Sequence, residues 1–125
     1  MSTLNLTQHA ATAEQLAVGV IDLDGDDLKT LRGLLTFDTR PTGQDVADRA
    51  HAVADLAVEA THGCESVFAM IGGAPFLMSA LENALIERGI TPLYAFSVRK
   101  SVETVQADGT VVKTAIFAHA GFVQI

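Results

Sequence analysis

Residues 66–90, SVFAMIGGAPFLMSALENALIERGI, constrain the fold more than any other part of the chain. They open with an unalternated apolar run of strand length, which is typical of a central strand covered on both faces. Gly72 and Gly73 end this run, and apolar residues then recur at helical spacing from Pro75 to a glycine cap at Gly89. The segment therefore predicts a strand, a tight turn and a helix.

The last third of the chain predicts more strands. Residues 91–98, TPLYAFSV, form another largely apolar run, so strand, helix and strand make a βαβ unit that crosses over right-handed into a parallel sheet. Asp108 and Gly109 separate the β-branched runs SVETVQ and TVVKTAIF, which is a strong hairpin signal. We expect an antiparallel ribbon or an edge extension of the sheet here.

Shorter patterns occupy the first two thirds. Leu4 and Leu6 alternate with polar residues as in a short strand, and Thr12 and Gln15 have the spacing of a helix capping box. A short strand at VIDL and two helices follow, one after the aspartates at positions 24, 26 and 27 and one over residues 44–61. The sequence thus predicts one α/β domain over residues 1–125, with parallel core strands, helices on both faces and a C-terminal antiparallel hairpin.

Composition limits the cofactor chemistry. A chain of 125 residues that is 49% hydrophobic and 18% charged suits one domain with its own core. The single cysteine, Cys64, excludes a disulfide framework and indicates an intracellular protein, and the four histidines are scattered at positions 9, 51, 62 and 119. The DLDGD pattern at residues 22–26 lacks the final glutamate of a calcium loop, where Gly33 stands. We expect no metal and no cofactor.

Charge and hydropathy limit the partners. The strongest apolar segment is interrupted by glycines and a proline before it reaches membrane-spanning length, so we expect a soluble, cytoplasmic protein with no membrane partner. Fifteen acidic and eight basic residues give a formal charge of -7, which disfavours duplex DNA because that binding needs many Lys and Arg contacts to phosphate. A small anion held by local cations remains open.

Three polar stretches should meet at one edge of the parallel sheet, because ligands bind at the carboxyl ends of such strands. They are residues 7–9 after the first strand, residues 72–76 after the central strand, and residues 97–100 at the end of the next. Glycines at 72 and 73 admit a ligand to the backbone, and the helix that follows favours an anion at its N-terminus. The alternative is a tight turn with no ligand, and neither a dinucleotide nor a P-loop motif is present.

The basic and titratable residues suggest roles in binding an anion. Arg99 shares strand parity with Ser97 and is the favoured phosphate ligand, whereas Lys100 points to the opposite face and is a secondary or neighbouring-subunit contact. Both cations could equally be solvated edge charges. His9 could donate to a phosphate or act as a general acid, and it forms an acid/base pair with His119 only if both reach one phosphate. Glu103 is either an acidic partner or a balance for Lys113 across the hairpin.

Three segments, LNLTQH, MIGGAPFLMSALENALIERGI and YAFSVRKSVETVQADGTVVKTAIFAHAGFV, together resemble the small CRISPR-associated Rossmann-fold (CARF-like) proteins. Some of these act alone as ring nucleases. The resemblance implies a Rossmann-like sheet, a homodimer or higher homo-oligomer, and a cyclic oligoadenylate bound across the subunit interface in type III CRISPR antiviral defence. The polar end of the first strand and the glycine turn would then contact phosphates and riboses.

The resemblance also implies hydrolase chemistry without a metal. A ribose 2′-hydroxyl would attack the adjacent phosphodiester and leave a 2′,3′-cyclic phosphate, which requires alignment and positive groups around the developing charge. The catalytic candidates are His9, Ser97 and Arg99. The candidate ligand-binding residues are Thr7, Gln8, Gly72, Gly73, Ala74, Pro75, Phe76, Lys100, Glu103 and His119. The alternatives are a non-catalytic sensor or sponge for the same ligand, of host, phage or plasmid origin, and a structural or interaction protein.

Overall fold

The order of helices and strands follows the predicted α/β pattern. The structure, a computed structural model, describes residues 2–61 and 67–124. His62 and Cys64 lie outside the described residues, as do the side chains of Lys100 and Phe117. The elements are β1 (Ser2–Leu6), α1 (Ala13–Ala17), β2 (Val20–Asp22), α2 (Gly25–Leu35), α3 (Gly43–Ala60), β3 (Val67–Ile71), α4 (Pro75–Glu87), β4 (Ile90–Val105) and β5 (Val111–Gln124).

All described strands share one sheet, in the order β2-β1-β3-β4-β5. β1 is parallel to both of its neighbours, β2 and β3, and β3 is parallel to β4. β5 is antiparallel to β4. The mainly parallel sheet, the βαβ unit of β3, α4 and β4, and the C-terminal antiparallel hairpin are therefore confirmed. The chain leaves β1 first toward β2 and later returns past it to β3, so the strand order reverses between β1 and β3.

Helices cover both faces of the sheet. Leu4 and Leu6 belong to a buried apolar cluster with residues of α2, α3 and α4, so these three helices pack on one face. Asn5 points to the other face, where Asp22 accepts a hydrogen bond from the Ala11 amide at the approach to α1 (3.1 Å). Right-handed crossovers require this division, because the chain moves in opposite directions along the sheet before and after β2. Among the described residues, no helix has both the length and the apolarity needed to cross a bilayer.

Side-chain caps fix where the helices begin. The predicted capping box is confirmed, since the Thr12 hydroxyl accepts from the Gln15 amide (3.2 Å) and the Gln15 side chain accepts from the Thr12 amide (3.0 Å). α3 begins with a second capping box, which the sequence analysis missed. The Thr42 hydroxyl accepts from the Asp45 backbone amide (3.1 Å), and the Asp45 carboxylate accepts from the Thr42 backbone amide (2.9 Å). The hydrogen bond from the Thr42 amide to its carboxylate, together with the Thr42 hydroxyl, holds the pKa of Asp45 below its ordinary value. Gly89, with φ of 77°, follows α4 as predicted.

The largest difference from the sequence prediction concerns β4. Residues 91–98 and the first run of the hairpin were predicted as separate strands, but they form one continuous strand of 16 residues. Its first residues, Ile90 to Leu93, pair with β3, and from Tyr94 onward its pairing is with β5 alone. Residues 94–124 therefore form a two-stranded ribbon that extends past the end of β3, and we call this ribbon the arm.

The tip of the arm closes as its Asp-Gly signal predicted. Gly109 has a φ of 85°, which favours glycine, and the Gln106 amide donates to the Thr110 carbonyl at 2.7 Å. The Asp108 carboxylate accepts from the Thr110 hydroxyl (2.6 Å) and amide (3.0 Å), and these bonds lower the pKa of Asp108. The turn thus holds thirteen paired positions of β4 and β5 in register, with one irregularity at Phe96 and Ser97.

Replacing Thr42 with alanine should destabilise the protein, because the first turn of α3 loses its side-chain acceptor. We expect the free energy of unfolding to fall by about 1 kcal/mol, measured by urea denaturation. Thr39→Ala, an exposed change in the preceding loop, is the matched control and should unfold like the wild type. Equal stability of the two variants would show that the cap contributes nothing.

Candidate functional site

A cavity of about 450 Å³ opens at the carboxyl ends of β1 and β3, beside the point where β4 passes the end of β3. Its lining comprises residues 7–10 after β1, Thr12 and Gln15 at α1, residues 70–73 at the end of β3, and Tyr94 and Ala95 in β4. The strand order reverses between β1 and β3, so this cavity lies at the topological switch point, the place where open parallel sheets bind ligands. Two of the three predicted stretches, residues 7–9 and the two glycines, therefore meet.

A buried asparagine shapes the loop after β1. Asn5 is only 3% exposed, and its side-chain amide donates to the His9 carbonyl (2.7 Å) and to the Asp22 carboxylate (2.8 Å). Its side-chain oxygen accepts from the Thr7 amide (2.9 Å) and the Thr7 hydroxyl (2.6 Å). These four hydrogen bonds satisfy a polar group that would be costly to bury alone. Asn5 thereby fixes the path of residues 7–9 at the cavity.

The predicted polar residues of this loop take different positions. His9 is exposed at the cavity, and its backbone amide donates a hydrogen bond to the Thr7 hydroxyl (3.4 Å). Gln8 also lines the cavity, but its side-chain amide donates to the Thr36 hydroxyl at the end of α2 (3.2 Å). The exposed His9 therefore lies at the cavity, while the Gln8 side-chain amide is shared with α2.

The glycine turn forms the opposite side of the cavity. Gly73 has a φ of 138°, a conformation that other residues rarely adopt, and a Cβ added at Gly72 would lie 3.6 Å from Thr7 Cγ2. Pro75 begins α4, and no side chain caps that helix. The turn thus presents backbone beside residues 7–9 where side chains would otherwise intervene.

The remaining residues of the predicted glycine stretch do not line this cavity. Ala74 and Pro75 lie beyond the lining, and Phe76 packs edge-on against Phe37 with ring centroids 4.9 Å apart. Phe37 belongs to the apolar cluster under α2, α3 and α4, so Phe76 points toward the helices. The structure therefore brings together Gly72 and Gly73 with residues 7–9, but not the first residues of α4.

Tyr94 is a cavity residue that the sequence analysis missed. It stands where β4 leaves the sheet, and burial, together with the nearby Glu82 carboxylate, raises its pKa above the ordinary value of a tyrosine. The phenol therefore stays protonated at neutral pH and can donate a hydrogen bond. The available sequence signal was weak, since it consisted only of a lone tyrosine within an apolar strand.

Ser97 and Arg99 lie on the arm outside the cavity lining. Alternate residues of a strand share a face, so both extend the face that begins with Ala95 at the cavity wall. Arg99 is four residues past Ala95, a distance of about 13 Å along the strand. Lys100 is opposite Ile116 in the register, and its side chain lies outside the described part of the structure.

His119 and Glu103 also belong to the arm. His119 is opposite Ser97 in the register and packs edge-on against Phe122 with centroids 4.9 Å apart. Its Nδ1 atom is shielded from solvent and has no hydrogen-bond partner among the described residues. Glu103 faces Lys113 at 3.7 Å, and both side chains are largely exposed, as in a solvated surface pair. The two histidines thus occupy the β1 loop and the arm rather than one cavity lining.

The described residues contain no group of three or more His, Cys, Asp or Glu side chains placed to hold a metal. Asp22, the first residue of the calcium-like pattern, lies in β2 and accepts hydrogen bonds from Asn5 and Ala11. Asp24 precedes α2, which starts at Gly25. The chemical resources at the cavity are therefore hydroxyls, amides, one imidazole and exposed backbone, and neither Lys nor Arg is among its described lining residues.

These features define a class of α/β proteins in which a parallel sheet holds a small cavity at its switch point, with an antiparallel ribbon attached at one edge. The chain belongs to the Uncharacterized protein MJ1673 family, which it matches over residues 1–123. The family description names no activity. Neither the curated proteins nor the solved structures contain a match to the sequence.

Replacing Asn5 with alanine should loosen the loop that borders the cavity. The Asp22 carboxylate and the Thr7 amide would lose a buried partner, so we expect the free energy of unfolding to fall by about 2 to 3 kcal/mol. Amide hydrogen exchange should accelerate at Thr7 and His9 by more than this global loss explains. Asn83→Ala, on an exposed position of α4, should change neither quantity. Unchanged exchange at the loop would contradict the role assigned to Asn5.

The raised pKa of Tyr94 can be measured directly, because the chain has one tyrosine and no tryptophan. We expect its ultraviolet titration midpoint to lie higher in the folded protein than in urea, and Glu82→Gln to lower it. The protonated phenol then contributes stability that is complete below pH 10 and lost as pH rises through the folded pKa. Tyr94→Phe should lack this alkaline loss. Equal midpoints in the folded and unfolded chain would refute the prediction.

Proposed function

We propose that the protein binds a cyclic oligoadenylate at this cavity and cleaves it without a metal, as a cytoplasmic ring nuclease of CRISPR antiviral defence. The observation that carries the proposal is the meeting of residues 7–9 with the glycine turn at the switch point. Both the position in the sheet and the exposed backbone suit a phosphate. The resemblance of the sequence to CARF-like proteins supplies the identity of the ligand.

The cavity contacts suit the parts of a nucleotide. Phosphate oxygens would accept from backbone amides of the Gly72 and Gly73 turn, and the Thr7 and Gln8 side chains would meet a ribose. Tyr94 supplies an aromatic surface for an adenine. A cavity of about 450 Å³ is at the small end for ligand sites, so it would hold only part of a ring. Two copies would share one ring, which makes the active form a homo-oligomer.

Cleavage would be a transesterification within the ligand. The 2′-oxygen attacks the adjacent phosphorus, the bond to the 5′-oxygen breaks, and the product ends in a 2′,3′-cyclic phosphate and a 5′-hydroxyl. His9 would donate a proton to the leaving 5′-oxygen as a general acid, because its imidazole is exposed at the cavity, and the 2′-hydroxyl proton would pass to water. Arg99 would stabilise charge on the phosphate as the ligand extends along the face of Ala95 and Ser97.

A second candidate is binding without cleavage, as a sensor or sponge for the same messenger. One observation favours it, since the described lining of the cavity lacks Lys and Arg and the nearest predicted cation lies out on the arm. Backbone amides and neutral donors can hold a phosphate, but they stabilise the extra charge of a transition state less than a guanidinium does.

Incubation with radiolabelled cyclic tri-, tetra- and hexa-adenylate in EDTA separates these candidates. Cleavage should give linear products ending in a 2′,3′-cyclic phosphate, and binding should alter the fluorescence of Tyr94, the only tyrosine. Binding with intact rings after prolonged incubation at excess protein would leave the sensor. Neither binding nor cleavage of any ring would refute both.

His9→Ala should lower the cleavage rate by about a hundredfold with little loss of affinity, because general acid/base groups act in the transition state. Arg99→Ala should lower both affinity and rate. Arg40→Ala, an exposed linker residue outside the cavity lining, is the charge-matched control and should behave like the wild type. Melting temperatures must be unchanged for the comparison to count. Wild-type rates in both site variants would remove these residues from the mechanism.

A further inference from the structure

The two faces of the arm differ in chemistry. One face, which we call the apolar face, carries six large side chains that are 40–52% exposed: Phe96, Val98, Val102, Val112, Ile116 and Val123. They share this face by the register of β4 and β5, in which Val98 pairs with Ala118 and Val102 with Thr114. The opposite face carries Ser97, Arg99 and the Glu103–Lys113 pair along its length, and the exposed pair Val105 and Val111 next to the tip. The arm is thus amphipathic, but its apolar face is open to solvent.

The apolar face of the arm requires another surface to pack against. A lone two-stranded ribbon is at best marginally stable in water, and sheets become independently stable with more strands or a packed apolar face. The large exposed fractions show that no described element of the same chain packs over this face. A second molecule with an apolar surface of the same length would bury this face.

We propose that the apolar face of the arm packs against the same face of a second copy of this chain. Such a contact is self-complementary, as the two-fold symmetry of a homodimer requires. The distribution of charge along the chain also favours a second copy as the partner. Residues 1–93 carry thirteen Asp or Glu and five Lys or Arg. Residues 94–124 carry only two acidic residues and three basic ones. Two copies are repelled through their acidic bodies, but not through arms that are close to neutral.

The size of the contact sets its expected strength. The twelve residues of β4 in the arm span about 40 Å, and a ribbon of two strands is about 10 Å wide, so two arms bury on the order of 800 Å² together. Interfaces of this size belong to weak or transient complexes. We therefore expect a dimer that forms as protein concentration rises.

Sedimentation velocity of the full chain without nucleotide, from micromolar to submillimolar concentration, tests this directly. The wild type should pass from monomer to dimer, and Val102→Asp should weaken the dimer at least about tenfold, since each copy then buries a charge. Ser101→Asp adds the same charge one residue away on the opposite face, so it is the matched control and should dimerise like the wild type. Ile116→Thr keeps a strand-forming side chain and should weaken the dimer less than Val102→Asp.

Every outcome decides the proposal. A wild type that stays monomeric throughout would overturn it and leave the apolar face to a different partner. Equal weakening by Val102→Asp and Ser101→Asp would also overturn it, and circular dichroism confirms that each variant keeps its strands. If Val102→Asp unfolds, Ile116→Thr alone decides, and wild-type dimerisation of that variant refutes the contact. The inference goes beyond the proposed function, because a chain that binds no nucleotide should dimerise all the same.

Discussion

The unequal lengths of β3 and β4 are the constraint from which both the cavity and the arm arise. β3 stops at Ile71, where the glycine turn redirects the chain into α4, whereas β4 continues for twelve residues past its last pairing with β3. The early stop leaves space at the switch point beside β1. The continuation leaves a ribbon with no third strand. A β3 extended by even a few residues would fill the cavity and support the base of the arm.

A buried polar group keeps the cavity open on its other side. Asn5 occupies a strand position whose neighbours on the same face are largely buried, and its four hydrogen bonds replace the apolar packing expected there. An apolar residue at this position would let residues 7–9 collapse onto the sheet or leave it. The loop therefore owes its fixed path to hydrogen bonds that a closely packed core would not supply.

Local chemistry predicted what is local in this fold. The Thr12 capping box, the Asp108–Gly109 turn and the glycine turn before α4 each depend on a few neighbouring residues, so their positions followed from the sequence. The length by which β4 extends beyond β3 did not follow from the sequence. Apolar residues alternate in a two-stranded ribbon in the same way as in a strand within a larger sheet. Asn5 and Tyr94 were missed for a related reason. Their roles come from contacts with Asp22 and Glu82, which lie 17 and 12 positions away.

The chain has a net negative charge, and the ligand proposed for it is a polyanion. Binding therefore depends on the cations of the arm. The cations that a phosphate ring would need are sparse at the cavity, and Arg99 lies on the arm, on the face that continues from Ala95. The apolar face is the opposite face of β4, which continues from Tyr94. Pairing of two arms through their apolar faces would therefore leave both Ser97 and Arg99 faces open, and it would order the ribbons that carry them. One alternation along β4 thus separates the face proposed to join two copies from the face of Ser97 and Arg99, which can meet an anion.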